Sequence, residues 1–291
     1  MTRLGLRPYG QEDPPARGSV PASVVILTRD EERNIRFCLA SVAWADQVVV
    51  VDSGSADQTV PIARSLGADV LEQPWLGFSA QREYALRHEL LRHDWVYFVD
   101  ADEWVSPQLA GEIAGRLRAP TCSAFAQRRR LVFQGTWIRH CGWYRGSWLV
   151  RLVDRRYAKF DGSIVGETMC VDGSVERLAH DLVDEDRKGL AAWLRKHVGY
   201  AELEAKRRND RSPLGDRLRS VRSRDGTRPL ARTVLKEVIF PTVPAKPLAL
   251  FGYMYVLRLG LLDGRAGLRF CAFHAWHEAI VAGLRTNAAD E

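Results

Sequence analysis

With 291 residues, 46% hydrophobic and 27% charged, the chain has the size and composition of a globular protein with a substantial core. No apolar run reaches the ~18–20 residues that a membrane-spanning helix needs, and the best candidate, 247–257, is cut by Arg258. Five widely spaced cysteines without a CxxC pair argue against a zinc site or a disulfide framework, so Cys38, Cys122, Cys141, Cys170 and Cys271 read as buried thiols.

The net charge of +6 is unevenly distributed: residues 187–236 hold fifteen Lys/Arg against five Asp/Glu, which leaves the remainder net acidic. A basic segment of this kind suits a polyanionic surface, either anionic lipid or nucleic acid. Residues 1–22 are polar and rich in Pro, Gly and Arg, lack the apolar core of a secretion signal, and are expected to form a flexible tail. The expected location is the cytoplasm, with the inner face of the plasma membrane as a peripheral site.

Ser23–Leu27 reads as a buried strand, followed by the turn Thr28-Arg29-Asp30-Glu31-Glu32 and a helix-period set at Ile35, Cys38, Leu39 and Val42. Gln47–Asp52 repeats the pattern with a purer β-branched strand. A turn at 53–59 follows, with Ser55 and Gln58 at capping-box spacing, then a helix that carries Ile62, Ala63 and Leu66 and closes at Gly67. Asp69–Glu72 is a third short strand, and a helix begins near Ser79. Trp95–Val99 is a fourth strand, ended by Asp100-Ala101-Asp102-Glu103, after which Ser106 and Pro107 start a helix bearing Leu109, Ile113 and Leu117.

Strands alternating with helices at this spacing predict βαβ units and a mostly parallel sheet flanked by helices, an α/β class. Beyond Pro120 short strands and glycines replace that rhythm, and from Asp184 the pattern turns helical and basic. The predicted division is a tail over 1–22, a catalytic domain over 23–183, and a basic, mostly helical region over 184–291 that suits membrane association.

In an open parallel sheet, ligands bind beyond the carboxyl ends of the strands, where Asp52, Asp100 and Asp102 would stand. Two carboxylates separated by a small residue suit a hard divalent cation that also binds phosphate oxygens. A solvated acidic turn explains Asp100 and Asp102 equally well, and Asp52-Ser53-Gly54-Ser55 is good Asx-turn chemistry. Thr28-x-x-Glu31 has capping-box spacing and could also face a ligand. Neither GxGxxG nor GxxxxGK[ST] occurs, which argues against dinucleotide-binding and P-loop enzymes. His140, His180 and His197 read as solvated or capping residues, and 181–186 as a solvated loop or helix start.

Ser23–Glu31, Val49–Thr59, Gly77–Leu86 and Asp100–Glu103 together resemble the family-2 glycosyltransferases with the GT-A fold, most closely the bacterial group that contains lipopolysaccharide-core glucosyltransferases. The resemblance continues through 135–144, 150–155 and 257–264. It implies that Thr28, Glu31 and Asp52 hold the donor nucleoside, that Asp100 faces ribose or metal, and that Asp102 binds Mn²⁺ or Mg²⁺ bridging the diphosphate. Gln81 and Arg82 match a polar pair near the nucleotide or donor sugar. The group's His-Glu pair reads Gly166-Glu167 here, which leaves Glu167 as the base for inverting transfer.

Arg145 and Arg151, near Trp143, Tyr144 and Trp148, could hold the diphosphate, although Arg151 reads better as a surface residue beside core aromatics. The implied partners are a UDP-sugar, a glycan or lipid-linked acceptor of the cell envelope and an anionic membrane surface, with no nucleic acid expected. Two rival readings stand beside this one: a sugar nucleotidyltransferase, which would need a Gly-rich loop after the first strand, and a non-catalytic basic protein that binds membrane or nucleic acid.

Overall fold

The computed structural model describes residues 15–142, 144–160, 169–209 and 245–287, apart from a few side chains that include Arg145. They divide into two compact units, one running to Trp137 and resuming over Trp143–Lys188, the other formed by Ile138–Gly142 and the chain from Gly189 onward. The break falls after Lys188 rather than at 183, because the residues just beyond 183 are bonded into the first unit. Val20 and Ala22, expected in the tail, are buried in the first strand.

The first unit is built on a seven-stranded sheet. Its parallel half contains β1 (Val20–Thr28), β2 (Ala45–Asp52), β3 (Asp69–Glu72) and β4 (Trp95–Asp100), with β1 between β2 and β4. β9 (Leu149–Asp154) runs antiparallel to β4, and β6 (Ala124–Gln127) with β12 (Val175–Arg177) completes the sheet. Only β9 opposes the common direction.

The β-branched runs of β1, β2 and β4 are apolar on both faces because helices cover both. One face packs on α1 (Ile35–Ser41), α2 (Thr59–Ser65) and α4 (Pro107–Leu117), through Ile26 and Tyr97 against Ile35, Leu109 and Ile113. The other packs on α3 (Phe78–Arg87) and β10 (Ala158–Phe160), through Val25 and Phe98 against Leu86 and Phe160. Ser106 caps α4 as its sequence predicts, accepting from the Leu109 amide at 3.2 Å.

A second, four-stranded sheet was not foreseen. β5 (Glu103–Val105) pairs with β13 (Leu182–Asp184), which pairs with β7 (Arg129–Phe133), and β7 pairs with β8 (Thr136–Trp137). The acidic stretch 181–186 is therefore a strand with its flanks and not a solvated loop: Leu182 and Val183 are buried, and Asp181 and Asp184 sit opposite the arginines of β7. A short two-stranded ribbon joins β10 to β11 (Met169–Val171). Of the five thiols, Cys38, Cys141 and Cys271 are buried as expected, whereas Cys170 is exposed.

The second unit is helical: α5 (Leu190–Asn209), α6 (Lys246–Gly252), a π-helical turn over Tyr253–Leu257, a 3₁₀ turn over Gly260–Asp263 and α7 (Gly264–Asn287). Ala201 and Ala205 of α5 pack on Val281 of α7. Arg208, within the basic stretch 187–236, forms a two-pronged bridge to Glu278, which Lys246 also meets. No helix among the described residues is long and apolar enough to cross a membrane.

His197, His274 and His277 gather between α5 and α7 beside Trp193 and Glu278, with ring centroids 6.1–6.4 Å from His197 to the other two. Burial, against the pull of the Phe270 carbonyl, lowers the His274 ring to about 4. The unfolded chain then takes up a proton first as pH falls through 6.5, so this residue contributes stability at neutral pH that disappears between pH 6.5 and 4. The loss is worth about 3 kcal/mol. Thermal unfolding followed between pH 7 and 4 should show it, and His274→Gln should flatten the dependence; an unchanged slope in that variant would contradict the assignment.

Candidate active site

Strand register brings the predicted acids to one rim. Thr28 at the end of β1 pairs with Asp52 at the end of β2, and Leu27 pairs with Asp100 at the end of β4. Carboxylates far apart in the chain thus share one sheet edge.

Asp52 is buried and held by its own turn. Its Oδ2 accepts from the Gly54 and Ser55 amides at 2.9 and 2.8 Å, and its Oδ1 accepts from the Thr28 hydroxyl at 3.0 Å and from Ser55 Oγ. Gly54 sits at φ +87°, which a side chain would resist, so the Asp-Ser-Gly-Ser sequence is what the turn requires. The loop after β1 is zipped onto this turn: Asp30, at φ +53°, donates its amide to Ser55 Oγ and accepts from the Ala56 amide, while the Glu31 amide donates to Thr59 Oγ1. Neither expected capping box forms, because Thr28 and Ser55 both turn to Asp52, while the Glu31 amide donates to Thr59 Oγ1 and the Gln58 amide to Glu32. Asp is one of the few non-glycine residues that adopt the left-handed conformation of Asp30 readily, and its side chain ties the two loops together.

Glu31 is buried beside the rim and accepts from Asn34 at 2.7 Å and from Lys188 at 2.5 Å. Burial, with help from the Asp102 charge, raises its carboxyl above the usual range despite Lys188. Gln81 is fully buried, but its contacts are to Ser53 Oγ, the Gln73 carbonyl and the Leu76 amide, so in this structure it staples the 73–76 loop.

Asp100 is clamped between two guanidinium groups, Arg82 at 2.6 Å on Oδ1 and Arg151 at 2.8 Å on Oδ2. Burial would raise this carboxyl, yet Arg151 and Arg82 hold it well below the usual carboxylate range. Its neighbour Glu103 is buried, accepts from the Asp100 amide at 2.8 Å and from Arg151 at 3.2 Å, and lies 3.5 Å from Arg129. Burial pushes Glu103 up to about 7, against the opposing pull of Arg151. Cys38 lies beneath these acids, its thiol pushed up by burial and by Glu103.

Arg151 is therefore an interior residue with two carboxylate partners and not a surface arginine. Its signal was present in the sequence: an arginine inside the apolar strand Leu149-Val150-Arg151-Leu152-Val153 can be buried only if paired. Asn34, Asp186 and Lys188 carried no such signal. They come together because the segment after β13 crosses the rim, with the Glu185 amide donating to the Asp102 carbonyl, the Arg187 amide to Asn34 Oδ1, and Asn34 Nδ2 to Asp186. Arg145's side chain and Glu167 lie outside the described residues.

No group of three or more His, Cys, Asp and Glu side chains among the described residues is placed to hold a cation alone. As placed, Asp100 does not serve as the expected metal ligand, since a cation there would have to displace a guanidinium. Asp102 is half-buried, and its charge acts on the Glu31 carboxyl beside the rim. One carboxylate fits Mg²⁺ or Mn²⁺ that takes its remaining ligands from a diphosphate and water.

Residues 23–167 match the model of glycosyl transferase family 2. This segment is a family-2 glycosyltransferase domain. An uncharacterized glycosyltransferase of Rickettsia typhi is 34% identical over 157 residues, 50% of either chain. The lipopolysaccharide core biosynthesis glycosyltransferase LpsC of Rhizobium meliloti is 33% identical over 89 residues, 29% of this chain and 32% of that one. Among solved structures, glucosyl-3-phosphoglycerate synthase of Mycobacterium tuberculosis with Mn²⁺ and UDP is 24% identical at a TM-score of 0.33, over 40% of this chain and 45% of that one. The chain spans half or less of the length of these relatives. The family-2 domain has the GT-A architecture expected from its motifs, a largely parallel sheet with helices on both faces.

Proposed function

We propose that the family-2 domain transfers a sugar, with inversion, from a UDP-sugar to a hydroxyl of a glycan or lipid-linked acceptor of the cell envelope. The observation that carries this reading is the convergence of Thr28, Asp52 and Asp100 on one sheet rim, with Asp102 two residues beyond and its charge felt by the Glu31 carboxyl. LpsC, named for lipopolysaccharide core biosynthesis, supports the envelope acceptor. The paired loops after β1 and β2 would seat the nucleoside, with Thr28, Glu31 and Asp52 fixing their shape and Gln81 holding the adjoining 73–76 loop.

Asp102 would hold Mn²⁺ or Mg²⁺, which when bound supplies counter-charge for a departing diphosphate. Asp100 orients Arg82 and Arg151 and fixes the end of β4 from which Asp102 projects. Arg145 stays a candidate for the diphosphate. Glu167 stays the candidate base, deprotonating the acceptor hydroxyl on the face opposite the leaving group.

Calorimetry with UDP tests the reading. Binding should appear with Mn²⁺ and weaken at least about tenfold after chelation. Absence of nucleotide binding together with steeply salt-dependent binding of duplex DNA would favour the basic-protein alternative.

A further inference from the structure

The second unit displays aliphatic side chains in a place where a purely water-facing surface would carry polar ones. Between α6 and α7, residues 256–262 include five large aliphatic side chains, all exposed: Val256 55%, Leu257 74%, Leu259 39%, Leu261 46% and Leu262 59%. Leu248 on α6 is exposed by 74%. Scattered exposed leucines need no explanation, but five exposed aliphatic residues within one seven-residue turn concentrate apolar surface there.

The turn is held rigidly in this pose. A Cβ on Gly267 would come within 2.3 Å of the Gly260 carbonyl oxygen, and one on Gly260 within 2.8 Å of the Met254 carbonyl oxygen, so the turn seats backbone to backbone on α7. Asp263 is buried and caps the 139–141 stretch, accepting from the amides of Arg139, His140 and Cys141 at 3.0–3.2 Å. Arg258 donates to the Gly142 carbonyl at 2.7 Å. Leu259 sits at φ +59°, a left-handed conformation unfavourable for a leucine. Leu259 directly follows the C-cap Arg258 of the π-helical turn, and its left-handed backbone ends that turn.

The sequence around the turn is mostly basic. Residues 245–277 contain Lys246, Arg258, Arg265 and Arg269 and one acid, Asp263, whose carboxylate is turned inward. Lys246 is bridged to Glu278, and Arg265 and Arg269 stand on the exposed surface of the first turns of α7. In sequence, the strongly basic stretch 187–236 precedes the patch.

We propose that 256–262 is a membrane-docking face: Leu257, Leu261 and Leu262 enter the headgroup–acyl boundary of an anionic bilayer, while Arg265 and Arg269 meet lipid phosphates. Phe251 and Tyr255 stack on each other, whereas Tyr253 is exposed. The face does not depend on the donor reading, and it is measurable in protein that binds no nucleotide.

The test is co-sedimentation of the full chain with vesicles of equal parts phosphatidylcholine and phosphatidylglycerol, beside vesicles of phosphatidylcholine alone. Wild type should partition onto the anionic vesicles, and Leu257→Asp with Leu262→Asp should lower partitioning at least about tenfold with helix content unchanged by circular dichroism. Leu257→Ser alone, a gentler change, should lower it several-fold. Equal partitioning of wild type and the double variant would overturn the proposal. So would a wild-type dimer in light scattering that the double variant dissolves without any vesicle binding, which would assign the patch to a second copy of the chain.

Discussion

Asp102→Ala should lower turnover of the donor sugar at least about a hundredfold, equivalent to ~3 kcal/mol of transition-state stabilisation, and remove the Mn²⁺ dependence of UDP binding. Asp102 is half-buried, so the melting temperature should change little. Asp100→Ala should behave differently: it leaves Arg82 and Arg151 without their shared carboxylate, and stability falls along with activity. The contrast between neighbouring acids is the informative part, because a purely structural role for both would move melting temperature in both variants. Mn²⁺-dependent UDP binding that survives Asp102→Ala would remove this residue from the metal's ligands.

Arg151→Met should destabilise the family-2 domain by ~3–5 kcal/mol, the range expected when one member of a buried ion-pair network is deleted. Arg151 bridges Asp100 and Glu103, and its removal leaves two buried carboxylates sharing Arg82 and Arg129. At roughly 2–4 °C per kcal/mol for a unit of this size, melting should fall by about 6–20 °C. Adding Glu103→Gln to Arg151→Met removes one of the stranded charges and should recover part of the loss, so a double-mutant cycle reads the coupling directly. A melting point unchanged in Arg151→Met would mean that the arginine is solvated and the network does not form.

The parts of this fold that the sequence reveals are those governed by local rules. Four apolar β-branched runs, the Ser106-Pro107 start of α4 and the closing Gly67 each declare themselves within a few residues, and the carboxyl ends of parallel strands in register follow from them. Asp52 could be read in two ways. As an Asx-turn residue it holds the loop that a ligand would meet, so its turn chemistry and its place at the rim are compatible.

Pairings across long stretches of chain stayed hidden. β5 and β13 are three residues each, too short for a period to show, and β13 carries acids because its neighbours carry arginines. The sequence also presents Arg82 and Asp100 as two separate ligand-binding residues, when they bind each other. Lys188 reaches Glu31 across 157 positions, and nothing local to either residue announces the contact.

That long-range lashing bears on where the protein can be cut. The family match ends at residue 167, yet the edge strand β12, the strand β13 and the Glu185–Lys188 crossing all lie beyond it. A truncated version stopping at 167 would expose the flank of β6, strip β5 of its neighbour and leave the Glu31 carboxylate without its cation. The smallest fragment able to keep its rim intact therefore extends at least through Lys188, some twenty residues past the end of the family match.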